Sequence, residues 1–496
     1  MKLGIELIER IKKFNNKEAL IDSNGSYTYK DLLKASQTIA SLLLNKKNDL
    51  NESRIAYMIQ PSFEYVSFKL GIWLSGGIAV PLCISHTEPE IEYILNNIEA
   101  ESIITSPDFA EKIKRVSKKS RLILTSEIYA DPREETPRID ESRRAMILYT
   151  SGTTSSPKGV VSTHYNIKNQ IKSLVTSWGW VNNDFILNVL PLHHLHGILN
   201  ILLCSLWPGA KCEMIPEFDS ELVWNKFIQS NYSIFMAVPT IYSLLIEKWN
   251  DADKIKKQEM SNACRKMRLM VSGSAALPVK TLEIWEKISG HRLLERYGMT
   301  EIGMALSNPL IGERIPGHVG KPLPGVNVKL FDENNREITD GSPGEIGVKG
   351  ANVFLEYWRN EDATQNSFYN GWFKTGDIAI KNNKGIYKIL GRNSVDIIKT
   401  GGYKISALEI EEVLRSHSKI SECAVVGIED DTWGEVISAA LVLKEGEDLS
   451  LDQLKKWGSD YIAKYKIPRK LILIDQLPRN NMGKVNKQKI KELFTR

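Results

Sequence analysis

The chain has 496 residues, 42% of them apolar and 25% charged, with a formal net charge of +5 at pH 7. That length exceeds what one hydrophobic core supports, so two or three domains are expected. Ordinary composition excludes a disordered or fibrous chain, and the mild charge is no sign of a nucleic-acid partner. At the N-terminus, Leu3, Ile5, Ile8, Ile11 and Phe14 recur at helical spacing and predict an amphipathic helix. Glu6 and Glu9 interrupt its positive charge, which argues against a transit peptide, and no secretory apolar core follows. Helical and strand patterns then alternate, predicting α/β layers with largely parallel sheets and short buried strands at 54–59, 77–81 and 102–105.

The run Ala145 to Val161 is an apolar strand, a loop carrying Thr150, Ser151, Gly152, Thr153, Thr154 and Lys158, and then apolar residues again. Glycines allow a tight turn that brings N–H groups close to a ligand, while hydroxyls and a lysine add donors and charge. This predicts a polyphosphate loop, although not a Walker A loop, because Lys158 precedes Gly159. A polar surface turn is the plainer alternative. Strand patterns return at 185–190, 233–238 and 268–271, and the longest apolar stretch, 197–207, is too short for a membrane span. Turn-rich segments from 326 to 350 predict a small barrel or meander.

Beyond Gly391-Arg-Asn-Ser-Val-Asp396, a helix at 407–416 and strands at 422–428 and 439–443 predict a separate α+β domain. The expected division is therefore 1–391 and 392–496. Near the end, Lys464, Lys466, Arg469, Lys470, Arg479, Lys484, Lys487, Lys489 and Lys491 form either a solvated basic face or a face for an anionic ligand. No interleaved aromatics suggest a nucleic-acid platform. The five cysteines form no Cys-x-x-Cys pair and read as thiols in a reducing compartment. The cytoplasm is the expectation, with organelle import of a longer precursor left open.

Four further clusters stand out. Ser272-Gly273-Ser274-Ala275 is a small-residue turn after a strand, Arg296-Tyr-Gly-Met-Thr-Glu301 combines an aromatic, a hydroxyl and a carboxylate, and Gly371-Trp-Phe-Lys-Thr-Gly-Asp377 ends in a carboxylate. Leu477-Pro-Arg-Asn-Asn-Met-Gly-Lys484 places a lysine after a Pro/Gly loop. In this order the motifs resemble the adenylate-forming superfamily of acyl-CoA synthetases, peptide-synthetase adenylation domains and luciferases.

The resemblance implies a large N-terminal domain of stacked α/β layers with a β-barrel-like part, and a small mobile α+β C-terminal domain. It implies ATP, Mg²⁺ and coenzyme A as cofactors and a small carboxylic acid as substrate. Thr150 to Lys158 corresponds to the phosphate loop, Ser272 to Ala275 to the adenine segment, and Tyr297 with Gly298 to the turn whose aromatic stacks on the base. Thr300 corresponds to the α-phosphate contact, Glu301 to the Mg²⁺ ligand, Asp377 to the ribose acid and Arg392 to a second nucleotide contact. Lys484 corresponds to the mobile-domain lysine that bridges the attacking carboxylate and the α-phosphate, and Gly401, Gly402 and Lys404 to the pantetheine face. Two departures are Ser155, where the family usually has glycine, and a junction one residue longer than usual, with the pivot at Ser394 or Val395.

For the acid, Pro191-Leu-His-His-Leu-His-Gly197 lies where the family borders its acyl pocket, and His194 matches the gating position. Arg296 replaces the small or apolar residue of many relatives, and a guanidinium in a partly dry pocket needs an anion. The residues from Leu294 to Glu301, Val319 to Gly325 and Ser394 to Lys404 resemble the malonyl-CoA synthetase branch, implying that Arg296 holds the distal carboxylate of malonate or methylmalonate. The alternatives are an internal salt bridge of Arg296 to Glu295 or Glu313, a synthetase for a monocarboxylic acid, and a catalytically silent nucleotide-binding homologue.

Overall fold

The computed structural model describes residues 4–117, 120–128, 130–132, 135–150, 157–400, 403–479 and 485–495, without the side chains of Lys404 and Thr495. Short runs rich in Val and Ile, separated by helices, pair in parallel because each helical crossover returns the chain in the same direction. Arg54–Met58, Ile78–Pro81, Ser102–Thr105, Arg121–Leu124 and Arg144–Thr150 pair this way in one seven-stranded sheet. A nine-stranded sheet has a parallel centre that includes Phe185–Asn188, Ile234–Ala237, Leu269–Ser272 and Leu294–Met299. The expected strands are thus present, but the chain after the phosphate-like loop turns back. Lys158–Thr163 runs antiparallel to Arg144–Thr150, and the last pair of that hairpin is Thr150 with Lys158.

Helix Phe63–Leu74 explains how the two sheets stack. It is apolar on nearly every face, as a helix buried in a layer must be. Its first amide, on Phe63, donates to Asp22 of the nine-stranded sheet at 2.8 Å. At its other end the Trp73 indole donates to the Ala145 carbonyl of the seven-stranded sheet at 2.7 Å.

The meander expected from 326 to 350 is part of a five-stranded antiparallel sheet, Val326–Phe331, Gly344–Gly350, Trp372–Lys381, Phe368–Tyr369 and Tyr387–Arg392. A fourth sheet holds Ile397–Thr400, Tyr403–Ser406, Ile420–Asp430, Gly434–Leu443 and Lys470–Leu473. It packs with helices Ala407–Leu414 and Lys487–Thr495 around apolar clusters made only of residues beyond 397. The chain is therefore α/β, with a large N-terminal part and a smaller α+β C-terminal part.

The C-terminal basic run is not a uniform solvated face. Lys466 pairs with Glu409 at 2.7 Å, Arg479 with Glu422, and Lys491 with Glu435 at 3.7 Å. Lys487 is buried between two carboxylates. All five cysteines are buried and free. Among the described residues no helix is long and apolar enough to cross a membrane.

Candidate active site

The candidate residues gather at the C-terminal ends of parallel strands, where open α/β sheets leave a crevice for ligands. Ser272 ends one strand and pairs with Glu295 of the next, so the segment Ser272 to Ala275 lies beside Arg296 and Tyr297. Gly298 sits at a bulge, and a Cβ there would lie 2.1 Å from the Gly303 carbonyl oxygen, so only glycine fits. The chain then reverses into Gly303–Ser307, placing Thr300 and Glu301 on the turn.

Asp377 joins this turn from the antiparallel sheet. The Tyr297 hydroxyl donates to its Oδ2 at 2.6 Å and Arg392 Nε to its Oδ1 at 3.1 Å. The Tyr297 ring is thus held at its polar end and packs against the main apolar core. Glu301 is buried and accepts from the Tyr357 hydroxyl at 3.0 Å. Burial pushes its carboxyl above the usual range, opposed by that hydrogen bond and by the charges of Arg392 and Lys158. Lys158 Nζ lies 5.1 Å from the centre of the Tyr357 ring. A single buried carboxylate suits a hard divalent ion that takes its remaining oxygens from phosphate and water. Among the described residues no group of three or more His, Cys, Asp or Glu forms an all-protein metal cage.

A second cluster lies beside the first. Arg296 is 3% exposed, yet among the described residues its Nη2 donates only to Ser274 Oγ at 3.1 Å, and Nε has no partner. Burial alone pushes its guanidinium down to about 9. Neither expected carboxylate reaches it. Glu295 accepts from the Gly317 amide at 2.9 Å, and Glu313 lies 3.6 Å from Lys384. Ser274 has φ of 70°, a left-handed conformation that costs a serine strain and is frequent at ligand sites. Its hydroxyl also lies 3.3 Å from His196 Nδ1. Gly273 makes room for this arrangement, because a Cβ there would sit 2.7 Å from Arg296 Cζ.

Sequence reading did not single out His196, Asn200 or Tyr357. His196 and Asn200 lie four apart in a π-helix, His196–Leu203, and His196 Nε2, both amide atoms of Asn200 and the Ser272 hydroxyl are buried without partners among the described residues. The only available signal was two polar residues at helical spacing in an apolar run. The His194 ring packs 4.1 Å from that of His193, and its charge acts on His196. Ser151, Gly152, Thr153, Thr154, Ser155, Gly401, Gly402 and Lys484 lie outside the described residues, as does the Lys404 side chain. Beside Gly402 in sequence, Tyr403 is exposed and stacks on Tyr465 at 4.8 Å.

Known proteins share this architecture. The family described as AMP-binding enzyme matches residues 7–358, and its C-terminal domain matches 409–484. The human protein named malonate–CoA ligase ACSF3, mitochondrial, is 43% identical over 97% of this chain and 90% of its own length. The malonate–CoA ligase of Arabidopsis thaliana is 40% identical over 94% of this chain and 84% of its own. ATP-bound MatB from Rhodopseudomonas palustris superposes with a TM-score of 0.91 at 30% identity, covering 99% of both chains. With both parts matched and a relative 43% identical over nearly the whole chain, the chain belongs to the AMP-binding enzyme family.

Proposed function

We propose that this chain is an ATP-dependent malonate–CoA ligase, forming a malonyl-adenylate and then the CoA thioester with release of pyrophosphate and AMP. The observation that carries the acid is Arg296, a buried guanidinium with no carboxylate partner among the described residues, beside the nucleotide segment. A buried unpaired cation is costly, and a dicarboxylic acid removes that cost with its distal carboxylate while offering the other for activation. The relatives named malonate–CoA ligases support the same reading.

In this reading Asp377 holds the ribose hydroxyls, Tyr297 stacks on adenine, and Thr300 donates to the α-phosphate. Lys158 and the loop before it hold the outer phosphates. Glu301 would hold Mg²⁺, which when bound neutralises phosphate charge. Lys484 supplies positive charge where negative charge gathers on the α-phosphate oxygens during attack. We place the junction between the two parts at residues 393–396. The smaller part carries Lys484 for the first half-reaction and the face at Gly401, Gly402 and Lys404 for the second.

Five buried thiols suit a reducing compartment, and we infer the cytoplasm; imaging of the chain tagged at its C-terminus decides between it and the mitochondrion named for the human relative. The test of function is thioester formation with CoA from malonate, methylmalonate, acetate and octanoate. Malonate or methylmalonate is expected to dominate, and equal use of acetate or octanoate overturns the assignment.

A further inference from the structure

A continuous set of charged and polar contacts leads from the nucleotide segment to the C-terminal helix. Tyr297 donates to Asp377, and Arg392 Nε donates to the same carboxylate. The backbone amide of Arg392 then donates to Asp396 Oδ2 at 3.0 Å. Asp396 Oδ1 receives Lys487 Nζ at 2.6 Å, and Lys487 also meets Glu411 Oε1 at 2.7 Å. We propose that Asp396 and Lys487 form a latch across the junction, in which Lys487 is a positioning residue for the segment carrying Lys484. The inference rests on the reading above that one small part serves two half-reactions.

The two oxygens of Asp396 belong to different bodies. Oδ2 is bound to Arg392, the last residue of the antiparallel sheet, and Oδ1 to the helix Lys487–Thr495 of the smaller part. The Asp396 carbonyl accepts from the Ala407 amide at 2.7 Å, so the residue itself travels with the smaller part. Rotation about residues 393–395 would strain the bonds that close this turn, the Arg392 amide to Oδ2 and the Asp396 amide to the Arg392 carbonyl at 2.7 Å, while the pair with Lys487 moves with the smaller part. Gly391, at φ of 127°, permits the close approach, since a Cβ there would lie 2.4 Å from that of Asp396.

Lys487 holds the Asp396 carboxylate aimed at Arg392. It is 9% exposed and flanked by two carboxylates, a setting in which a buried ion fixes geometry more than it adds stability. It is also coupled to the catalytic segment. Val485 bridges Arg479, and the Asn486 amide donates to the Pro478 carbonyl at 2.7 Å. The next residue is Lys487. Its pairs with Asp396 and Glu411 therefore anchor the chain three residues after Lys484 in sequence.

The test measures two rates on the full chain: malonyl-adenylate formation by rapid quench, and thioester formation when CoA is added to the adenylate. Lys487→Met and Asp396→Asn are expected to change the ratio of these rates by about tenfold, the scale of one charge-assisted hydrogen bond. Lys487→Arg should restore the ratio. Glu411→Gln should lower thermal stability and leave the ratio near that of the unaltered protein. If both rates fall equally, or Glu411→Gln shifts the ratio as far, Lys487 is only structural and the latch is overturned. Asp396→Asn, nearly isosteric, carries the test should Lys487→Met fail to fold. An unaltered protein lacking malonate-dependent adenylation overturns the function and the latch with it; one performing both steps, with variants that keep its ratio, overturns the latch alone.

Discussion

Arg296 and Glu295 are neighbours in sequence with opposite charge, yet they do not pair. Successive residues of a strand point to opposite faces, so Glu295 reaches Gly317 while Arg296 reaches Ser274. Each is left buried with its own cost. For Arg296 the expected outcome of Arg296→Ala is a rise in the malonate KM of roughly 30- to 4,000-fold, the range for truncating one member of a buried charge pair. ATP affinity, read by nucleotide titration, should be unchanged, and unchanged malonate kinetics refute the role. Gly273→Ala should give the same phenotype by pushing the guanidinium aside. Glu295 titrates differently. Burial, with Glu412 adding like charge, pushes its carboxyl from 4.5 to about 8. Between those values the unfolded chain releases a proton that the folded one keeps, so this group lowers stability as pH rises. Below the window both states are protonated and the cost vanishes. Relative to the unaltered protein, Glu295→Gln should therefore gain stability from pH 5 to 8, reaching about 2–5 kcal/mol, and then level off. Melting curves across that range check it; a pH-independent difference disproves it.

The π-helix His196–Leu203 shows why some elements could be read in advance and others could not. A π turn carries no propensity signal, and such turns recur at functional sites where a side chain must be re-aimed. Asn200, fully buried with both amide atoms unsatisfied, is destabilising unless a ligand uses it. Asn200→Leu is expected to raise the unliganded protein's stability by about 1–3 kcal/mol while weakening malonate use. A destabilised variant with normal malonate kinetics would sink that account. Parallel strands such as Leu269–Ser272 were legible because a short apolar run between helices has few other places to go. Antiparallel return of Lys158–Thr163 was not, since direction is set by loop length and tertiary pairing rather than by pattern. Likewise Arg296 was visible as an odd charge in a motif. Its partner Ser274, and His196 beyond that hydroxyl, were visible only once two strands and a helix had been brought together.

Across the whole molecule, apolar packing falls into separate cores. The main cluster runs from Ile5 to Tyr387, whereas the clusters beyond Ile398 contain no residue of the larger part. Among the described residues, polar links that join them include Asp396 to Arg392, the Ser406 hydroxyl to the Leu390 carbonyl, and the Glu412 carboxylate accepting from the Val279 amide at 3.0 Å. Such contacts orient two bodies without merging their cooperativity, since each hydrogen bond contributes about 1 kcal/mol against tens for a core. Calorimetry is therefore expected to resolve two transitions. Leu454, fully buried in the smaller core, gives the discriminating variant. Leu454→Ala should cost about 2–5 kcal/mol and lower only the smaller transition. ATP with malonate should raise the larger transition by the same amount in both proteins, because the residues proposed to hold them lie mainly in that part. A single transition that moves as a whole in the variant would mean that the junction welds the two cores together, and rotation between half-reactions would then have to break far more than one latch.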